Sequence, residues 1–200
     1  FTRGNKDSWL VKGAWALLGF GLIIALSLLA QLVGMGEYST ALRWIAVPFA
    51  ATASGYTAFL FAQCRGRDLW LEKGVLLGLL VRAALLGMLL AAASPGSEMT
   101  ESAGQVLAGL GLVNLAFLLH ELKGKASTEH AERARARLAG RSGSYFFLIG
   151  LLAATGVGAM AAMGTTFHYS LSTVLAILAS LSMFSFEREW IRAGQEESNS

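Results

Sequence analysis

Five polar side chains lie inside or at the end of apolar runs, where each could do chemistry: Tyr56, Arg82, Asn114, His120 and Glu121. A phenol donates a hydrogen bond to a carbonyl, and a carboxamide both donates and accepts. A guanidinium favours a nearby developing anion, and an imidazole beside a carboxylate passes protons. Counted inward from the ends of the runs that carry most of the Lys and Arg, at 1.5 Å per residue, Tyr56 is roughly 12 Å deep, Arg82 roughly 14 Å and Asn114 roughly 10 Å. Three runs thus bring polar groups to one level, with His120 and Glu121 near the basic end. Plainer readings stand beside these. An arginine near mid-membrane costs about 2.5 to 3.5 kcal/mol unless it finds partners, so Arg82 is expected to face the bundle interior, either at a site or merely hydrogen-bonded to carbonyls. His120 and Glu121 either relay protons or simply end a helix.

The elements that must position these groups follow from composition. Of 200 residues, 54% are hydrophobic and 14% charged, with mean hydropathy +0.54. Soluble domains are about 25% charged, so this balance points to a membrane protein. Six apolar runs, 9–35, 38–62, 72–93, 101–122, 145–163 and 167–186, each reach the roughly 20 residues that cross a hydrocarbon core. None alternates with period two, so they are expected as helices. The expected fold is all-α: a polytopic transmembrane helix bundle of six spans forming one domain over 1–200, with a basic interfacial loop at 123–144. Pro48 should bend the second helix, and Gly55 beside Tyr56 leaves room for a slot there. Gly150, Ala154, Gly158 and Ala162 form a small-residue stripe on the fifth run, suited to close helix packing.

All but two of the 16 Lys and Arg, Arg43 and Arg82, fall on one side of the six spans, while Glu37, Glu98 and Glu101 mark the other. The positive-inside tendency places both termini and the loop "ELKGKASTEHAERARARLAGR" in the cytoplasm. Arg43 reads as an anchor whose head reaches water at the acidic face. The loop itself reads as a solvated interfacial helix, with docking of a partner or of anionic lipid as the alternative. Nothing in it suggests nucleic-acid binding. A single cysteine, Cys64, forms no intrachain disulfide and holds no iron-sulfur cluster, and His120, His130 and His168 are too scattered for a transmembrane haem. The chain begins with polar "FTRGNKDSW" rather than a signal peptide or an initiator methionine, and it is expected to be a fragment or a processed product.

Four segments, "SWLVKGAW", "GYTAFLFAQCRGRDLW", "STEHAERARARLAG" and "EREWIRAGQ", occur in an order and spacing that resembles the NrfD-like polysulfide-reductase membrane-subunit family. The resemblance spans the chain, apparently without the family's first two helices. It implies a quinone- or quinol-interacting subunit of a respiratory or photosynthetic oxidoreductase, with menaquinone or ubiquinone as substrate and no haem or iron-sulfur cluster of its own. Its implied partners are a ferredoxin-like iron-sulfur subunit and often a molybdopterin catalytic subunit, in the lipid bilayer of a bacterial or archaeal inner membrane. Many family members dock the iron-sulfur partner on the outer face, which conflicts with the charge count.

Of the family's quinone-site residues, the tyrosine ending the helix before the basic loop matches Tyr56. On this reading Tyr56, Arg82 and Asn114 bind the quinone ring, and His120 and Glu121 carry its protons. Two alternatives remain: a small ion or solute transporter whose pathway is lined by Arg82 and Asn114, and a purely structural membrane anchor.

Overall fold

The computed structural model describes residues 8–94, 99–165 and 169–197. Glu98 and His168 lie outside these residues. The described chain contains seven α-helices and one short 3-10 helix, with no strand among the described residues. Six of the helices are long and apolar enough to cross a membrane. The chain divides into two compact units, Phe1–Gln63 and Cys64–Ser200.

The first unit is a hairpin of α1 (Trp9–Leu32) and α2 (Gly36–Phe61). Gly34, at φ 80°, takes the left-handed conformation that lets the chain reverse between them. Antiparallel register follows from paired contacts along the hairpin. Ser27 Oγ lies 3.1 Å from Ser39 Oγ near the turn, Gly19 faces the Phe49 ring at mid-length, and Trp9 stacks on Phe59 at 4.1 Å near the open end. Arg43 is exposed and donates to Ser39 Oγ at 3.1 Å.

The second unit opens with the 3-10 helix Asp68–Leu71 and continues through α3 (Val75–Ala92), α4 (Glu101–Lys123), α5 (Glu129–Ala139), α6 (Ser142–Ala162) and α7 (Tyr169–Glu196). α3, α4, α6 and α7 close a ring in which each packs on two others. Leu85, Leu89, Leu107, Leu118, Leu151 and the stacked Phe147 and Phe186 fill its interior. Outward positions stay apolar, as at Leu77, Ile149 and Phe184, which suits contact with lipid rather than water.

Glycines set how closely α4 and α6 approach. A Cβ added at Gly104 would sit 2.5 Å from the Ala162 nitrogen, and one at Gly158 2.6 Å from the Ala108 nitrogen. The expected stripe on α6 therefore serves two neighbours: Gly158 meets α4, whereas Gly150 meets Ser182 of α7. The glycines of α4 supply the other half of that contact.

Two boundaries differ from expectation. The last span was expected to end at 186, where Glu187, Arg188 and Glu189 begin, yet α7 runs to Glu196. Its charged turns find partners on α5 and Arg141, so charge does not end the helix. The basic loop contains α5, capped by Thr128, whose hydroxyl accepts from Ala131 N at 3.2 Å. This helix is not solvated all round, because Ala131, Ala134, Arg135 and Leu138 are buried.

Candidate functional site

Arg82 enters the second unit from α3 and is 5% exposed. Gly78 and Gly74 lie one and two turns before it. A Cβ at Gly78 would meet Glu121 Oε1 at 3.6 Å and Phe117 of α4 at 3.8 Å, ordinary van der Waals distances that place α4 directly against this stretch of the chain. There the Arg82 guanidinium donates to the Glu121 carboxylate. The rings of Phe186 and Phe147 flank it at 5.1 and 5.7 Å, adding cation–π attraction in a water-poor setting. Glu187 of α7 interacts electrostatically with both Arg82 and Glu121.

Asn114 lies two turns before Glu121 on α4 and is 1% exposed. Its amide nitrogen donates to the Leu110 carbonyl at 2.9 Å and the Val81 carbonyl of α3 at 3.2 Å. Its Oδ1 has no hydrogen-bond partner among the described residues, and neither has Arg82 Nε. A buried polar atom without a partner is costly, and this unit carries one within the ion pair and another two turns away on α4.

A second buried pair lies toward the basic end. Arg135 of α5 meets Glu72 at 3.1 Å and donates to the carbonyls of Gly124 at 2.8 Å and His120 at 3.2 Å. Glu72 also accepts from the nitrogen and hydroxyl of Ser127 at 2.8 and 2.9 Å. Between the two pairs is a small cavity of about 10 Å³, bordered by Glu72, Lys73, Phe117, His120, Glu121 and Arg135. That is about the size that admits one water molecule.

An open groove of about 450 Å³ runs outside it, lined by Lys73, Gly74, Val113, Ala116, Phe117 and His120. Lys73, Gly74, Phe117 and His120 border both spaces, so the wall between groove and polar cavity is one layer of residues thick. The His120 side chain is exposed at this wall, while Glu121 lies on its inner side. Among the described residues, no three of His, Cys, Asp and Glu gather closely enough to hold a metal ion.

Tyr56 belongs to the first unit. Its half-buried ring covers Gly13 of α1, where a Cβ would overlap it, and its hydroxyl has no hydrogen-bond partner among the described residues. The slot expected beside Gly55 lies instead two turns earlier, at Pro48, as a groove of about 350 Å³ between Trp15, Ala16, Phe49 and Thr52.

The structure thus joins Arg82 to Glu121, stands Asn114 beside them in the same unit, and places His120 at the rim. Sequence reasoning missed Glu72, Lys73, Arg135 and Glu187. For Arg135 a signal existed: it falls on the same helical face as Ala131, Ala134 and Leu138.

The basic end is closed by a network of exposed and partly covered pairs. Arg133 meets Glu129 and Glu197, Arg137 meets Glu196 and Glu197, and Arg141 meets Glu189 and Glu196. Hydrogen bonds donated to Glu189, and next to Glu196, hold the Arg141 pKa above its ordinary value.

Six helices long and apolar enough to cross a membrane, four of them closing on a buried arginine in the second unit, give the chain the character of a multi-pass helical membrane protein. The chain matches no protein-family model, no curated protein and no solved structure. The NrfD-like resemblance rests on its four motifs alone.

Proposed function

We propose that this chain is a quinone- or quinol-interacting membrane subunit of an oxidoreductase, exchanging electrons with an iron-sulfur partner. One observation carries the reading. An apolar groove of about 450 Å³, within the range of ligand sites, is separated by a single wall from a polar cavity that reaches Glu121. A quinone ring needs an apolar berth, lateral entry from lipid and a proton route at its oxygens, and the groove supplies the berth and the route together. Reduction of the ring takes two electrons from the partner's cluster and two protons, and His120 and Glu121 are the groups placed to deliver the protons. Arg82 is already engaged by Glu121, so it holds that carboxylate in place rather than serving as a free cation. Asn114 braces α3 against α4 beside the pair.

Tyr56 enters through the family resemblance, and its unpartnered hydroxyl is free to donate. The same resemblance implies a bacterial or archaeal cytoplasmic membrane, and the charge distribution favours an orientation with the basic ends of the spans inward.

The test is purification of the native assembly, with iron content, neighbouring polypeptides and extractable quinone measured together. An iron-sulfur polypeptide with bound quinone is expected. Ala116→Trp, which fills the groove, should remove the quinone and keep the partner. Quinone retained in that variant would overturn the site. Tyr56→Phe should lower quinone-linked turnover without changing stability, because its hydroxyl bonds nothing in the described structure. Unchanged turnover would remove Tyr56 from the reading.

A further inference from the structure

We propose that Lys73 is the residue that holds the negatively charged oxygen of a ring bound in the α3–α4 groove; this rests on the quinone reading above. The inference begins with how the cations of the second unit are used. Arg67 donates to the carbonyl of Gly194 at 3.1 Å, and Arg82, Arg133, Arg135, Arg137 and Arg141 are all paired with carboxylates. Much of the positive charge that was expected to be solvated is thus bound to groups of the chain itself. Arg65, Lys73, Lys123, Lys125 and Arg188 are exposed and make no hydrogen bond or ion pair among the described residues, and of these five only Lys73 borders the groove. Its neighbour Glu72 is taken by Arg135 and Ser127.

Place matters as much as availability. Lys73 borders the groove together with His120, and both also border the polar cavity behind it. Val113 and Ala116 extend the groove along α4 away from that end, so an amphiphile lying there keeps its tail on the apolar stretch and its head between an ammonium and an imidazole. A lysine has a flexible stem and three donors, so it can follow an oxygen that changes charge during reduction. Arg82, fixed between two rings and bonded to Glu121, cannot do so. Lys73 is therefore a positioning residue for the reduced, anionic form of the substrate.

The experiment uses the chain in phosphatidylcholine nanodiscs and two probes of equal tail length. One is a decyl hydroxynaphthoquinone, anionic at neutral pH; the other is the neutral decyl methylnaphthoquinone. Equilibrium dialysis should show the anionic probe binding more tightly. Lys73→Gln should weaken the anionic probe about fivefold, as expected for one cation near a membrane surface, and leave the neutral probe unchanged. Lys73→Arg should retain most of the affinity. Ala116→Trp should abolish binding of both probes. If the wild type binds neither probe, or Ala116→Trp changes nothing, the quinone groove itself is wrong. If Ala116→Trp abolishes both while Lys73→Gln alters neither or both alike, the groove stands and the role of Lys73 falls. If phosphatidylglycerol added to the discs displaces the anionic probe from the wild type but not from Lys73→Gln, Lys73 serves a lipid headgroup and the proposal is overturned.

Discussion

Two sets of arginine–glutamate pairs in the second unit use the same chemistry in opposite surroundings. Inside the helix ring, Arg82 and Glu121 have side chains only 6% and 13% exposed. At the basic end, the side chains of Arg133 and Arg137 are 45% and 50% exposed, and each touches two glutamates, of which the shared Glu197 is itself only 10% exposed, so here it is the arginine that keeps its water. Water can replace a partner at the end of the bundle but not within it. The inner pair is thus obligatory and the outer pairs exchangeable. The outer network binds α5 to the end of α7, whereas the inner pair fixes the register of α3 against α4 beside the groove. The lesson is that an ion pair's burial, rather than its length, decides whether losing one partner disrupts the structure.

The largest effect should therefore come from breaking the inner pair on one side only. Glu121→Leu leaves the Arg82 guanidinium buried without its carboxylate, and Arg82→Met leaves Glu121 in the same plight. Each is expected to cost about 3 to 5 kcal/mol, the range for orphaning one member of a buried pair. Glu187 interacts with both groups and can soften the first loss more than the second. The double variant Arg82→Met with Glu121→Leu should recover much of the stability, since apolar replacement of a whole buried pair is often neutral. Unfolding titrations in detergent, arranged as a double-mutant cycle, measure the coupling. Additive losses would show that the two groups do not depend on one another.

Next in size is the helix contact that holds the ring closed around this pair. Gly104→Ala and Gly158→Ala place a Cβ against backbone atoms of the facing helix, which cannot rotate away. Overpacking of this kind costs about 1 to 3 kcal/mol. The matched controls are Gly109→Ala on α4 and Gly156→Ala on α6, where nothing stands within 4 Å. Those should be neutral, or stabilising by up to about 1 kcal/mol from helix propensity. Equal effects at all four sites would mean that α4 and α6 do not meet along their glycines.

The contrast between inner and outer pairs also explains what the sequence disclosed. All six spans were legible, because a run of about 20 apolar residues has few other uses. That Arg82 faces inward was legible too, from the cost of a lone guanidinium in lipid. Its partner was not. Glu121 sits at a helix end in the sequence, and only the packing of α3 on α4 brings it to Arg82. The far end of α7 was misread because three charged residues in a row look like the exit from a membrane. Glu189 pairs with Arg141, 48 residues away, and Glu196 beyond it pairs with the same arginine, so the helix continues. Charge counting likewise read Lys73 only as a topology signal, because availability depends on which neighbours have already been claimed.

The smallest effect should come from the outer network, and it sharpens the comparison most finely. Arg141→Gln removes the links to Glu189 and Glu196, yet Arg137 still reaches Glu196 at 3.6 Å and Glu197 at 2.6 Å. Arg141 and Glu189 are partly covered, at 24% and 17% exposed, yet still in reach of water, so the loss should be about 1 kcal/mol and shrink as salt is raised. The pH dependence has a definite sign. A pKa raised in the folded state stabilises fully below the unfolded value and fades only as pH climbs through the folded one. For a guanidinium both values lie far above the physiological range, so Arg141's contribution should be constant from neutral pH to about pH 10. Thermal midpoints of the wild type and Arg141→Gln, measured at low and high salt across that range, should differ slightly, in parallel, and less at high salt. A loss as large as that of Arg82→Met, or one indifferent to salt, would mean that the outer pairs are as obligatory as the inner pair and that exposure does not separate them.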